Sequence, residues 1–214
     1  MPMRIFALLR LLLSFGLLLS PALARAAEPL APPRPALQGA AARPGPDGAL
    51  LAAVMARLAA VPQRRASFAE KKTLAALSLP LRSIGKLSYR RPDRFRKVTD
   101  WPDAEVLSVQ GQHLSLATGG VTRRIDMASQ PVIGALVEAI LGTLSGDLPG
   151  LRRWYHVTAT GTPAKWRMTL RPRTAALAKF VRHVTVSGAG AEVTHLVSVE
   201  ADGDTDVMTI TPST

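Results

Sequence analysis

From Arg65 onward the chain alternates. Apolar side chains recur at every second position, run after run, with turn residues between the runs. Ala66 and Phe68 alternate in RASFAEKKT (65–73). Leu81, Ser83, Gly85, Leu87, Tyr89 and Arg91 share one face of PLRSIGKLSYRR (80–91). Trp166, Met168 and Leu170 alternate in AKWRMTLRP. A period of two belongs to a strand with one face buried and the other in water. Pro92-Asp93, Gln110-Gly111, Gly119-Gly120, Gly161-Thr162-Pro163 and Asp202-Gly203 supply turns. Strands joined by turns this short run antiparallel. About ten strands are expected, forming one large curved antiparallel sheet.

The alternation gives way to helical spacing twice. In DGALLAAVMARLAAV (47–61), Leu50, Leu51, Val54, Met55, Leu58 and Val61 fall on one helical face. Asp47 can cap this helix, and Pro62 stops it. Midway along the chain, Pro131 opens PVIGALVEAILGTL. Val132, Ile133, Leu136, Val137, Ile140, Leu141 and Leu144 make its stripe, and Glu138 is its single charge. Gly134 and Gly142 each cost about 1 kcal/mol against Ala in a helix interior. An apolar, locally weak helix between joints at Gly146 and Gly150 suits a lid that moves. An ordinary core helix has the same pattern. The fold class is α+β, with an N-terminal helix and one helix inserted midway.

The first residues are of another kind. MPMRIFALLRLLLSFGLLL has basic Arg4 ahead of an apolar run, and small-x-small sites follow at Ala22–Ala24 and Ala24–Ala26. This is the layout of a cleaved secretory signal peptide, residues 1–26. An uncleaved anchor is the alternative, although the run is short beside the roughly 20 residues that span a bilayer. Residues 27–48, rich in Pro, Ala and Gly, read as a flexible linker. The folded domain is then 49–212. The chain has no cysteine, so an exported form has no disulfide and relies on its core. The formal charge is +12. An exported protein rarely meets nucleic acid, so anionic lipid headgroups are the counter-charge to weigh against a merely solvated basic surface.

No group of residues assembles into a catalyst. His113, His156, His183 and His195 are scattered over different strands without metal-ligand spacing. DGDTD (202–206) reads as a hairpin turn, since calcium wants more oxygen ligands and a later Glu. Ser83 and Lys86 have the Ser-x-x-Lys spacing of serine acyl-enzymes. On a strand that spacing puts them on opposite faces. What remains is a strand-rich body with much inward aliphatic surface and an apolar helix to cover it. That composition suits a binder of something apolar, with no catalytic residue, no metal and no cofactor expected.

Six stretches, taken in order, resemble one family: ASFAEKKT, GKLSYRRPDRFR, VLSVQGQHLSL, the Pro-initiated helix, WRMTLRP and VTHLVSVEADGDTDVMTI. Together they are similar to the LolA-type periplasmic lipoprotein carriers, in particular to divergent LolA-related proteins. The resemblance implies a half-open β-barrel with a helical lid, whose apolar cavity takes acyl chains. It implies that Arg91 is the arginine that hydrogen-bonds lid backbone and favours the closed form. It implies that Phe95 is an inward residue used in ligand handover. Two features depart from the family. Its cavities are rich in aromatics, whereas this chain is 5% aromatic. Lys97 stands where the family often has an aromatic.

The reading that follows is a non-enzymatic periplasmic carrier for acyl chains of lipoproteins or other envelope lipids. Its cavity side is expected from Leu87, Tyr89, Phe95, Leu107, Val109, Leu114 and Leu116. Its lid side is expected from Leu136, Val137, Ile140 and Leu141, with Arg91 as the latch. Arg91 shares a strand face with Leu87 and Tyr89, and a cation so placed needs a hydrogen-bonding partner. Helix-end carbonyls are suitable, and water beyond the strand end is the other possibility. The expected partners are an acylated lipoprotein or lipid, an inner-membrane donor and an outer-membrane acceptor. No nucleic acid is expected, and the carrier is expected to act as a monomer. The rival reading is an envelope lipid-sensing or regulatory module on the same fold.

Overall fold

The computed structural model describes residues 46–213. The signal-peptide expectation lies outside them, as do the linker up to Gly45 and the side chain of Asp47. Helix α1 (Pro46–Ala59) leads into six strands: β1 (Gln63–Thr73), β2 (Leu81–Arg90), β3 (Arg94–Trp101), β4 (Glu105–Gln110), β5 (His113–Thr118) and β6 (Val121–Asp126). A 3-10 turn (Met127–Ser129) precedes helices α2 (Pro131–Ser145) and α3 (Leu148–Trp154). Then come β7 (Tyr155–Thr162), β8 (Lys165–Pro172), the one-turn helix α4 (Ala175–Ala178), β9 (Val181–Ala189), β10 (Glu192–Glu200) and β11 (Thr205–Pro212).

The eleven strands among the described residues, one more than expected, form a single sheet in the order β6-β5-β4-β3-β2-β1-β11-β10-β9-β8-β7. Every neighbouring pair is antiparallel. The sheet is open, with β6 and β7 as its edges. Two meanders build it. The first runs from β1 out to β6, and the second returns from β7 to β11, which pairs with β1. Only the β6-to-β7 connection is long, because it crosses from one edge to the other. Helices α2 and α3 occupy that crossing. The chain's central helices are therefore carried across a face of the sheet by topology alone.

The alternation sets which face that is. Inward residues of β1 include Phe68 and Glu70, those of β2 Gly85 and Tyr89, and those of β4 and β5 Leu107, Val109, Leu114 and Leu116, all buried. Their outward neighbours are mostly exposed. Leu51, Val54, Met55 and Leu58 of α1 are buried too, and α1 rests against β7 and α2. Trp166, Met168 and Leu170 continue the core on β8.

Arg152–Trp154 end α3, and β7 begins at Tyr155. The Asp147 carboxylate accepts from the Gly150 N–H at 2.9 Å and caps that helix. Gly142, expected to weaken α2, instead permits its packing. A methyl group there would come within 3.0 Å of the Leu151 side chain and 2.7 Å of a Glu138 oxygen. Gly146 ends α2 in the left-handed region (φ 72), where glycine costs least. A Cβ at Gly146 would strike the last turn of α1, at Met55 and Ala59. The two helices thus meet at that point with no room for a side chain.

Candidate functional site

Where α2 passes the ends of β2 and β4 a cleft of about 500 Å³ opens. The β2–β3 turn (Arg91, Pro92, Asp93) and the β4–β5 turn (Gly111, Gln112) form one wall. Val137, Glu138, Leu141 and Ser145 of α2 form the other. The cleft thus brings together Arg91, Val137 and Leu141 from the expected residues. Leu136 is buried and Ile140 half-buried on the same helix. Tyr89, Leu107, Val109, Leu114 and Leu116 are buried on the inner face of the sheet, with Leu87 and Phe95 half-buried among them. Pairing fixes their neighbourhood: Tyr89 lies opposite Phe95, Phe95 opposite Val109, and Val109 opposite Leu114. Leu107 lies opposite Leu116.

Arg91 lies one residue past β2 and is exposed. Its guanidinium donates to the Ala59 carbonyl oxygen in the last turn of α1. It meets a helix end, as its charge requires, but that end belongs to α1 rather than to α2. Arg64, which sequence reasoning missed, does the same from β1. It donates to Leu58 O at 3.1 Å and to Ala191 O at 2.6 Å, and it pairs with Glu192 at 3.5 Å. Burial pushes the Arg64 guanidinium pKa down, and Glu192 opposes this. Two arginines therefore hold the C-terminus of α1, on the turn where Gly146 seats α2. Tyr89 lies beside the same junction, and its hydroxyl donates to Pro92 O at 3.4 Å in the β2–β3 turn. Burial raises its phenol pKa, against the pull of Arg91 and Arg64.

Helix α2 is fastened from its other side as well. The Tyr155 hydroxyl donates to Ala135 O at 2.9 Å, and burial pushes that phenol up. Glu138 lines the cleft. Burial raises its pKa, Asp147 adds to the rise, and Arg153 opposes it.

The opposite end of the inner face is charged. The Lys97 ammonium donates to both Glu70 oxygens, at 2.9 and 2.8 Å, and lies 4.8 Å from the Phe68 ring centre. Ser83 donates to Glu70 at 2.8 Å, and Lys72 stands 3.8 Å from Asp206. Burial alone would raise Glu70, but Lys97 and Lys72 hold it well below the usual range. Burial and the Glu70 charge push Asp206 up. Two buried carboxyl groups beside two lysines thus have their pKa values pushed apart, Glu70 down and Asp206 up. Lys97, expected as a mere departure from aromatic character, is the hub of this network. The signal for it lay in Glu70 and Lys72, two charges on the face of β1 that carries Ala66 and Phe68.

Near this end, oxygens of Glu200, Asp202 and Asp204 lie within 4.8 Å of one another. Asp204 there accepts from the Ala75 N–H, and Asp202 accepts from the Asp204 N–H. These bonds shape the β10–β11 turn. No helix among the described residues is long and apolar enough to cross a membrane.

Against this geometry stand the comparisons with known proteins. No curated protein matches the sequence. Among solved structures, a LolA superfamily protein from Nitrosomonas europaea is similar at 9% identity and a TM-score of 0.42, over 76% of this chain and 90% of that one. A DUF1329 family protein from Desulfovibrio piger is similar at 10% identity and a TM-score of 0.42, over 75% of this chain and 88% of that one. The model of the family described as outer membrane lipoprotein carrier protein LolA-like matches residues 44–212. The chain belongs to that LolA-like family.

Proposed function

We propose that this protein is a non-enzymatic periplasmic carrier that shelters acyl chains of lipoproteins or other envelope lipids on their way to the outer membrane. The observation that carries the reading is the buried apolar field of Tyr89, Leu107, Val109, Leu114 and Leu116, beside a cleft that opens under α2. Each methylene taken from water there contributes about 0.8 kcal/mol. A chain of a dozen methylenes binds amply, so release needs a conformational step or a receptor.

Arg91 acts as latch at one remove. It fixes the last turn of α1, and α2 ends against that turn. Phe95 and Leu87, half-buried beside the apolar field, are the residues a tail meets at its margin. An inner-membrane donor and an outer-membrane acceptor would load and unload the carrier, which works as a monomer. No cofactor enters this scheme.

Native mass spectrometry of the protein purified from a Gram-negative envelope tests the reading. A co-purifying lipid or acylated protein is the expected result. A clean apo mass, with no uptake after incubation with lipid or lipoprotein, would overturn the carrier role. It would favour a sensing or regulatory module on the same fold.

A further inference from the structure

The outer face of β1–β3 carries charge that nothing near it neutralises. Arg90 is paired directly with Arg94, and Lys71 directly with Arg82. Like charges opposite one another destabilise a sheet. Arg65 and Arg96 flank Ser88 in the adjoining row, and Lys86 stands in the next. All of these side chains are exposed, and none makes an ion pair with another described residue. Asp100 is the one acid in the outward positions of these strands.

One end of this face is apolar. The register slips between Gly85 and Ile84, which pairs Trp101 with Ile84. Ile84 is 52% exposed and Trp101 53%. Arg82 and Lys86, two residues either side of Ile84 on the same face, flank the pair. The neighbouring β1–β2 loop adds Leu77 and Leu79, the latter 78% exposed. Exposed aliphatic groups in a cationic surround are costly in water and well placed at a bilayer surface. Single-stranded nucleic acid would want a row of aromatic stacking platforms, whereas this face has one tryptophan among aliphatic residues.

We propose that the outer face of β1–β3 is a docking surface for an anionic lipid bilayer. Lys and Arg side chains meet the headgroup phosphates. Ile84, Trp101, Leu77 and Leu79 seat in the boundary between headgroups and acyl chains. The surface lies on the face away from the cleft, so it stands apart from the carrier reading. It would hold the protein at a membrane whether or not a lipid occupies the inner face.

Co-sedimentation with vesicles tests this, using the chain as its host processes it. Vesicles of phosphatidylcholine alone are compared with vesicles containing phosphatidylglycerol, at low and high salt. The expected result is binding to the anionic vesicles only, weakened by salt. Arg90→Glu/Arg94→Glu should lower the partition coefficient by at least about tenfold. Trp101→Ser/Leu79→Ser should lower it about tenfold with the salt dependence retained. The milder Arg90→Gln/Arg94→Gln should fall between the parent and the charge reversal. Melting temperatures establish that each variant is folded. Equal binding to neutral and anionic vesicles, or binding undiminished by the charge reversal, would overturn the proposal. Retention on a polyglutamate matrix that depends on Arg90 and Arg94, with no vesicle binding, would overturn it too and assign the face to an acidic protein.

Discussion

The two ends of the sheet's inner face belong to one continuous sheet and differ in kind. Beside α1 and α2 the face is Tyr89, Val109, Leu114, Leu107 and Leu116, all buried. Beside β11 it is Glu70, Lys97, Lys72 and Asp206, buried or nearly so and paired with one another. The boundary falls within β3, where Phe95 belongs to the first set and Lys97, two residues on, to the second. Alternation decides which side chains point inward, and the chemistry of each end comes from which of them meet. For a carrier the difference sets a length. A tail that enters by the cleft finds apolar neighbours as far as the Leu107–Leu116 row. Beyond it, a tail would strip water from charges and gain no apolar contact.

The sharpest way to break this contrast is to remove the hub of the charged end. Lys97→Met leaves the Glu70 carboxylate buried with the Ser83 hydroxyl as donor and Lys72 as the nearby cation. Urea unfolding should show a loss of about 3 kcal/mol. The Glu70→Met/Lys97→Met pair should be less destabilised than Lys97→Met alone, because no orphan charge is left. A neutral Lys97→Met would mean that the end is wet and the contrast illusory.

At the apolar end, Leu116→Ala should cost about 2 kcal/mol, near the low limit for a buried leucine. A chamber that receives a ligand is less tightly packed than a closed core. The same variant should retain less lipid in native mass spectra. A cost near the upper limit, with lipid retention unchanged, would make this end plain core.

A smaller effect is a slope with pH. Unfolded Asp titrates near about 3.9, whereas folded Asp206 keeps its proton to higher pH. Above the ordinary carboxylate range the folded state therefore binds a proton that the unfolded state has lost, and stability falls as pH rises. Glu70 is shifted the other way, so its contribution is lost as pH falls below that range. The pair stabilises most between these limbs. Melting temperatures across pH should show Asp206→Asn flattening the alkaline limb and leaving the acid limb. A variant profile parallel to the parent's would dismiss the upward shift of Asp206.

The smallest effect belongs to Arg91. Arg91→Leu removes one exposed hydrogen bond to Ala59 and should cost about 0.5 kcal/mol. It should nevertheless raise binding of an environment-sensitive apolar dye, because it frees the turn on which α2 ends. Unchanged dye binding at equal melting temperature would remove the latch role.

The legible part of this molecule is whatever a short window of sequence decides. The inward set on β2, β4 and β5 followed from a period of two, and the start of α2 from Pro131. Glycine-bearing turns at Gly111, Gly119 and Gly203 placed three of the hairpins. Helix α3 was hidden because Pro149 and Gly150 look like a loop. Its actual signal was Asp147, whose carboxylate caps the first turn. The charged end was hidden for a different reason. Glu70, Lys97 and Asp206 lie on three strands, and only the order β3-β2-β1-β11 brings them together. Arg64 was passed over because it begins a strand, where a cation reads as solvated. Its partners, Leu58, Ala191 and Glu192, are supplied by a helix end and a distant hairpin.

The most direct test of the account is photo-crosslinking with a fatty acid that carries a diazirine near its methyl end. The bound protein is irradiated, digested and mapped. Adducts should concentrate on peptides from β4, β5 and α2, at Leu107, Val109, Leu114, Leu116, Val137 or Leu141. Adducts around Glu70 and Lys97, or none above an unfolded control, would contradict the assignment of the apolar end as the seat of an acyl chain.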